Sequence, residues 1–202
     1  MKKLNLHQVE KNLLSSDLGF FTPRELMVTF GANKRAAEAF CAYNVKKDAI
    51  VRLKAGLFAL AENLPGDYMI SNRLYRPSYV SLETALVYHR LIPESVYSVT
   101  SVTTKSTREF VVLGRRFSYK RIKKEAYTGY TLIMVDGKGV YLATPEKAVA
   151  DFLYFVYLGK KDDNDRLDLK KINFRKLEEY LQLFGKPELV ALAKKKFKEN
   201  VG

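Results

Sequence analysis

The sequence predicts an α+β protein: an N-terminal winged helix-turn-helix followed by a mixed α+β domain with an antiparallel sheet and C-terminal helices. Three observations carry that expectation. Residues 1–63 read in the order helix, short helix, tight turn, helix and hairpin, which is the order of a winged helix. A polar stretch holding Pro65 and Gly66, ENLPGD (Glu62–Asp67), then marks a boundary. Residues 68–202 change pattern, alternating strands rich in Val, Tyr and Thr with apolar helical segments.

In the first domain, Leu6, Val9, Leu13 and Leu14 lie at the spacing of one face of a helix over Asn5–Ser16. In FFTPREL, Thr22 is an N-cap, Pro23 the first helical residue and Glu25 the capping-box partner. Phe21 staples onto Leu26 from outside the cap, and Gly31 ends the helix after two turns. Asn33 caps a third helix to about Lys46, with Ala37, Phe40, Cys41 and Asn44 inward. VRLKAGLFAL (Val51–Leu60) then alternates apolar and polar residues around Ala55-Gly56, a short hairpin.

In the second domain, Ser81 is expected to cap a helix through Leu91. Strands are expected at Val96–Thr104, at Phe110–Leu113 and Phe117–Ile122 joined across Gly114, and at Tyr130–Val135 and Val140–Leu142 around DGKG. Thr144 and Pro145 open a buried helix that ends near Gly159, and INFRKLEEYLQLFG and a segment from Pro187 supply the closing helices.

The chain has 202 residues, of which 47% are apolar, enough to bury a core, and a formal charge of +13. That charge favours polyanionic partners, nucleic acid first. A lone cysteine, Cys41, forms no internal disulfide, which suits the reducing cytoplasm. The basic start lacks the apolar run of a signal peptide, and no apolar run is long enough to span a membrane.

The residue patterns of catalysis are missing. There is no phosphate-binding glycine loop, no dinucleotide fingerprint and no zinc-ligand spacing, and His7 and His89 are the only histidines. His89 falls at a helix end, where it reads as a cap, and Cys41 reads as core filler. The acidic run Asp162, Asp163, Asp165 and Asp168 lacks the glycine and glutamate of a calcium loop and reads as solvated. The expectation is a non-enzyme without cofactor or metal.

The positive charge is placed more tellingly. Lys34 and Arg35 open the third helix, with Asn33 and Glu38 beside them, and Arg52 and Lys54 flank the hairpin turn. Singly, each charge reads as solvated surface. Together with the caps and the hairpin, they read as base-edge and phosphate contacts to a duplex. Lys2, Lys3 and Lys11 add backbone contacts in that reading. A second basic block holds Lys105, Arg108, Arg116, Lys120 and Arg121. It reads equally as a solvated sheet face or as a surface for a polyanion or partner, and strand register decides which residues share a side.

The blocks RPSYVSLETALVYHRLIPE, YSVTSVTTKSTREF, GRRFSYKRI and LATPEKAVADFLY resemble those of AbiE-type abortive-infection antitoxins, the regulator halves of type IV toxin–antitoxin systems. The resemblance implies a cytoplasmic, phage-defence repressor whose winged helix binds inverted repeats in double-stranded operator DNA, with dimerisation on the DNA as an option. It also implies a cognate nucleotidyltransferase-like toxin as functional partner, without a stable complex. The DNA role carries over to Lys34, Arg35, Arg52 and Lys54, and the second-domain surface to Lys105, Arg108, Arg116, Lys120 and Arg121. Two alternatives stay open: a stand-alone winged-helix regulator, and an antitoxin or protein-interaction module without DNA regulation.

Overall fold

The structure is a computed structural model that describes residues 4–15 and 19–201. Lys2 and Lys3 lie outside the described residues. The chain forms two compact units divided after Ile70.

The first unit contains α1 (Leu6–Ser15), α2 (Pro23–Phe30), α3 (Lys34–Lys46), β1 (Ile50–Lys54) and β2 (Leu57–Leu60). Local chemistry sets each boundary. Thr22 accepts the Glu25 N–H at 3.2 Å while the Glu25 carboxylate accepts the Thr22 N–H at 2.6 Å, a complete capping box. Gly31 ends α2 in the left-handed region, φ 66°, and donates its N–H to the Met27 carbonyl. Two residues later the Asn33 side chain accepts the Ala36 N–H at 2.8 Å and starts α3. The turn of the helix-turn-helix is thus written by a left-handed glycine and an N-cap. Replacing Thr22 with alanine removes the box and is expected to lower local stability by about 1 kcal/mol. Faster hydrogen exchange of the α2 amides would read that loss.

The core of this unit joins Val9 and Leu13 of α1, Leu26 of α2, Ala37, Phe40 and Cys41 of α3, and Ile50, Phe58 and Leu60 of the hairpin. Phe21, expected only as a staple, does more. Its N–H and carbonyl bond those of Phe58, both at 2.9 Å, and the two rings stack 5.9 Å apart. The hairpin is therefore tied by an isolated antiparallel bridge to the chain just before α2.

The next helix, α4 (Asp67–Leu74), begins at the end of the polar stretch read as a boundary, and the division between units falls within it. The second unit continues with β3 (Ser78–Val80), α5 (Leu82–Tyr88), β4 (Ser98–Thr103), β5 (Arg108–Val112), β6 (Arg115–Arg121), β7 (Tyr130–Val135), β8 (Lys138–Ala143), α6 (Pro145–Tyr157), α7 (Phe174–Gln182) and α8 (Pro187–Val201). The six strands run in the order β5-β6-β4-β3-β8-β7.

The sheet has the expected antiparallel pairs and two parallel ones besides. β5–β6, β3–β4 and β7–β8 are antiparallel, whereas β4–β6 and β3–β8 are parallel. The parallel pairs arise in two places: the three-residue β3 lies between β4 and β8, and the β5–β6 hairpin turns back so that β6, not β5, lies against β4. The hairpins themselves follow turn chemistry: Leu113-Gly114 and Asp136-Gly137 both have paired positive φ angles, as type I′ turns require.

Thr144 caps α6, accepting the Lys147 N–H, and α6 is buried along most of its length against α5, α7 and α8. Inside it lie two charged residues, Lys147 and Asp151, an i,i+4 ion pair at 2.7 Å with neither side chain exposed. Ser81 was expected to cap α5 but makes no cap hydrogen bond. Its hydroxyl is diverted to Asp151 at 2.8 Å, and the Tyr79 hydroxyl donates to the same oxygen at 3.0 Å.

Candidate nucleic-acid interface

The alternation of buried and exposed residues divides α3 lengthwise. Ala37, Phe40, Cys41 and Asn44 face the core. On the other side Arg35, Glu38, Ala39, Ala42 and Lys46 form an exposed stripe at spacings of three and four, with Lys34 exposed at the first turn and Tyr43 at its margin. Asn44 pins the inner side, its amide donating to the Phe40 carbonyl at 2.8 Å. Asn33, singled out as a DNA-contacting residue, has its side-chain oxygen engaged by the Ala36 N–H.

Sequence reading found the charged end of this stripe and missed Ala39, Ala42 and Lys46. The small residues matter physically, because an alanine lets the helix backbone approach a groove floor and offers a methyl to thymine. Counting three and four residues on from Arg35 would have found them.

Arg52 is exposed and Lys54 half-buried in the hairpin. The alternating sequence implies that they share a face, but the register does not. Arg52 pairs with Phe58 and Lys54 with Leu57, so the ladder skips Leu53, a bulge. Phe58 and Leu57 are adjacent and project to opposite faces, so Arg52 and Lys54 do so too. Arg52 shares the Phe58 side, and Lys54 the other.

Register also divides the second basic block. Arg108 pairs with Tyr119, and Arg121 lies two residues beyond it, so these two arginines share a face. Arg116 and Lys120 project to the other, where Arg116 is bound to Glu109 at 2.9 Å. Around Arg108 the charges sit on aromatic rings. Lys105 lies 5.5 Å from the centroid of Tyr75, and Arg108 lies 5.3 Å from that of Phe110 and 5.9 Å from that of Tyr75.

The remaining titratable groups have structural settings. Cys41 is buried in the core, and burial, helped by Glu38, pushes its thiol up to about 11, so little reactive thiolate is present near neutrality. His89 closes α5, and its Nε2 lies 2.7 Å from the Ala143 carbonyl, which makes Nε2 the nitrogen that carries hydrogen. Asp162, Asp163 and Asp165 are exposed, and Asp163 pairs with Lys196. Among the described residues there is no group of three or more acidic, histidine or cysteine side chains placed to hold a metal ion. Burial raises the Asp151 carboxyl, opposed by Lys147 and the two hydroxyls, and burial beside Asp151 raises Tyr79 strongly. No helix among the described residues is long and apolar enough to cross a membrane.

These features define a winged helix-turn-helix unit followed by a mixed α+β unit. No protein-family model matches the chain, and no curated protein does. Among solved structures, the RV2827C protein from Mycobacterium tuberculosis is similar, 14% identical over 93% of this chain and 80% of its own, with a TM-score of 0.44. At that identity and score the similarity carries no argument about function.

Proposed function

We propose that the chain is a winged-helix transcriptional regulator that binds double-stranded DNA, with α3 entering the major groove and the β1–β2 hairpin beside it. The observation that supports this reading is the α3 stripe: cations at Lys34, Arg35 and Lys46, with Glu38 and the small Ala39 and Ala42 between them, and a fully committed core on the reverse side. The N-terminal turn of α3 adds backbone N–H groups and the positive end of the helix dipole, both suited to a phosphate.

Nuclease footprinting on the DNA upstream of the chain's own gene tests the reading. Protection of two mirrored half-sites is the expected pattern, and uniform cleavage at saturating protein would contradict it. The hairpin supplies a second, finer result. Because Arg52 and Lys54 lie on opposite faces, charge reversal at one should outweigh reversal at the other. Arg52→Glu is expected to weaken binding about tenfold, and Lys54→Glu considerably less, in a gel-shift titration at fixed salt.

The AbiE-type resemblance supports a fuller reading, in which the regulator represses its own operon and also counters a nucleotidyltransferase-like toxin. The resembling blocks fall on β3–α5, β4–β5, β6 and β8–α6, the framework of the second unit. Growth rescue on co-expression with the product of a neighbouring gene, together with loss of operon expression, would support it. Footprinting without rescue leaves the regulator alone.

A further inference from the structure

The sheet of the second unit ends at β7, whose strand neighbour is β8 alone. Sheet edges are usually guarded by lysine, proline, a bulge or extreme shortness. The opposite edge, β5, carries Arg108 and Glu109. β7 has no such guard. Its six residues, YTLIMV, contain neither charge nor proline, and they pair regularly with β8 from Tyr130↔Ala143 to Val135↔Lys138.

Asn72 reveals which backbone groups point outward. Its side chain accepts the Tyr141 N–H at 2.6 Å and donates to the Tyr141 carbonyl at 3.3 Å. A strand residue turns both groups to one side, so Tyr141 turns both away from β7. Leu132, opposite Tyr141 in the register, therefore turns its own N–H and carbonyl away from β8, toward the open edge. Alternation extends this to Tyr130 and Met134. No partner for these outward backbone groups is found among the described residues. The side chains add apolar surface: Leu132 is 60% exposed and Met134 65%, with Tyr141 on the same face at 47%.

We propose that β7 is a homodimer interface, two copies pairing antiparallel through it about a two-fold axis at Leu132. That register sets Leu132 against its own counterpart and Tyr130 against Met134 of the copy. Every outward N–H then meets an outward carbonyl, each facing pair exchanging both bonds. Self-complementarity selects the occupant, because the outward positions Tyr130, Leu132 and Met134 are spaced symmetrically about Leu132. A chain of formal charge +13 repels its copy over most of its surface, and β7 offers a strand-length edge on which nothing charged is brought together. An isologous contact also closes on itself, leaving no bare strand to recruit a third chain. This surface lies in the second unit and stands apart from the DNA-binding reading.

Sedimentation equilibrium of the full chain without DNA tests it, so that failure here says nothing about DNA binding. At tens of micromolar the expected mass is about twice the 23.2 kDa of the chain. The Leu132→Lys, Met134→Lys double variant should return to the single-chain mass with an unchanged circular dichroism spectrum. Crosslinking gives an arm that does not depend on tolerance of buried lysine. Facing residues of a hydrogen-bonded pair lie about 5.5 Å apart at Cα, within disulfide reach, so Leu132→Cys should oxidise to a covalent dimer. The native Cys41, 1% exposed, does not compete. A single-chain mass at every concentration overturns the proposal. A dimer that survives the lysine substitutions overturns it as well, as does a Leu132→Cys chain that crosslinks no faster than Ser95→Cys, an exposed control.

Discussion

Replacing Asp151 with alanine is expected to destabilise the second unit by about 3–5 kcal/mol, because it strands the buried Lys147 ammonium without its counter-charge. The environment left behind cannot substitute. The ammonium lies 4.8 Å from the centroid of Phe184 and 5.9 Å from that of Tyr180, and aromatic faces compensate a desolvated cation only in part. The Tyr79 and Ser81 hydroxyls lose their acceptor at the same time. For a unit of this size the loss corresponds to a fall of roughly 10 °C in melting temperature, measurable by calorimetry. The double variant Lys147→Met, Asp151→Asn provides the control. Asparagine retains an oxygen for both hydroxyls and methionine removes the charge, so more than half the lost stability should return. Equal losses in the single and double variants would mean that the pair is not the source.

The largest functional effect is expected from Arg35→Glu. Arg35 is exposed in the first turn of α3 and heads the stripe assigned to the groove. Reversing its charge should weaken duplex binding at least tenfold at low salt. It should also reduce the slope of log affinity against log salt by about one, the signature of a lost phosphate contact. Stability separates this from damage to the fold. An acidic residue in the first turn of a helix complements the dipole, so the variant should melt no lower than the parent. Loss of binding together with loss of stability would therefore count against the assignment.

What was legible in the sequence was mostly local. Thr22, Glu25, Gly31 and Asn33 wrote the helix-turn-helix because caps and left-handed turns act over three or four residues. The hairpins at Leu113-Gly114 and Asp136-Gly137 followed for the same reason. What was missed depends on distant partners. The central strand β3 has three residues and is held by β4 and β8, far away in the chain. Ser81 had the right residue type for a cap, yet an aspartate seventy positions on takes its hydroxyl. The buried Lys147 resembles any exposed helix lysine until α7 and the loop after it close over it.

The candidate site divides in the same way. The charged start of α3 could be read from the cap and the residues after it. Its alanines were passed over because they carry no chemistry of their own, and only the exposed side of a folded helix gives them meaning. The bulge at Leu53 was invisible because alternation of residue type assumes an unbroken ladder, and one skipped residue sends Arg52 and Lys54 to opposite sides. The register of β5 and β6 likewise separates Arg108 and Arg121 from Arg116 and Lys120, which a list of basic residues shows as one block.

The most direct test of the α3 assignment is an amide chemical-shift titration of the full chain with a short DNA duplex. The account predicts the largest early changes at Lys34, Arg35, Glu38, Ala39 and Ala42, weakening as salt is raised. Changes confined to β5 and β6, with the α3 amides unmoved at saturation, would contradict it.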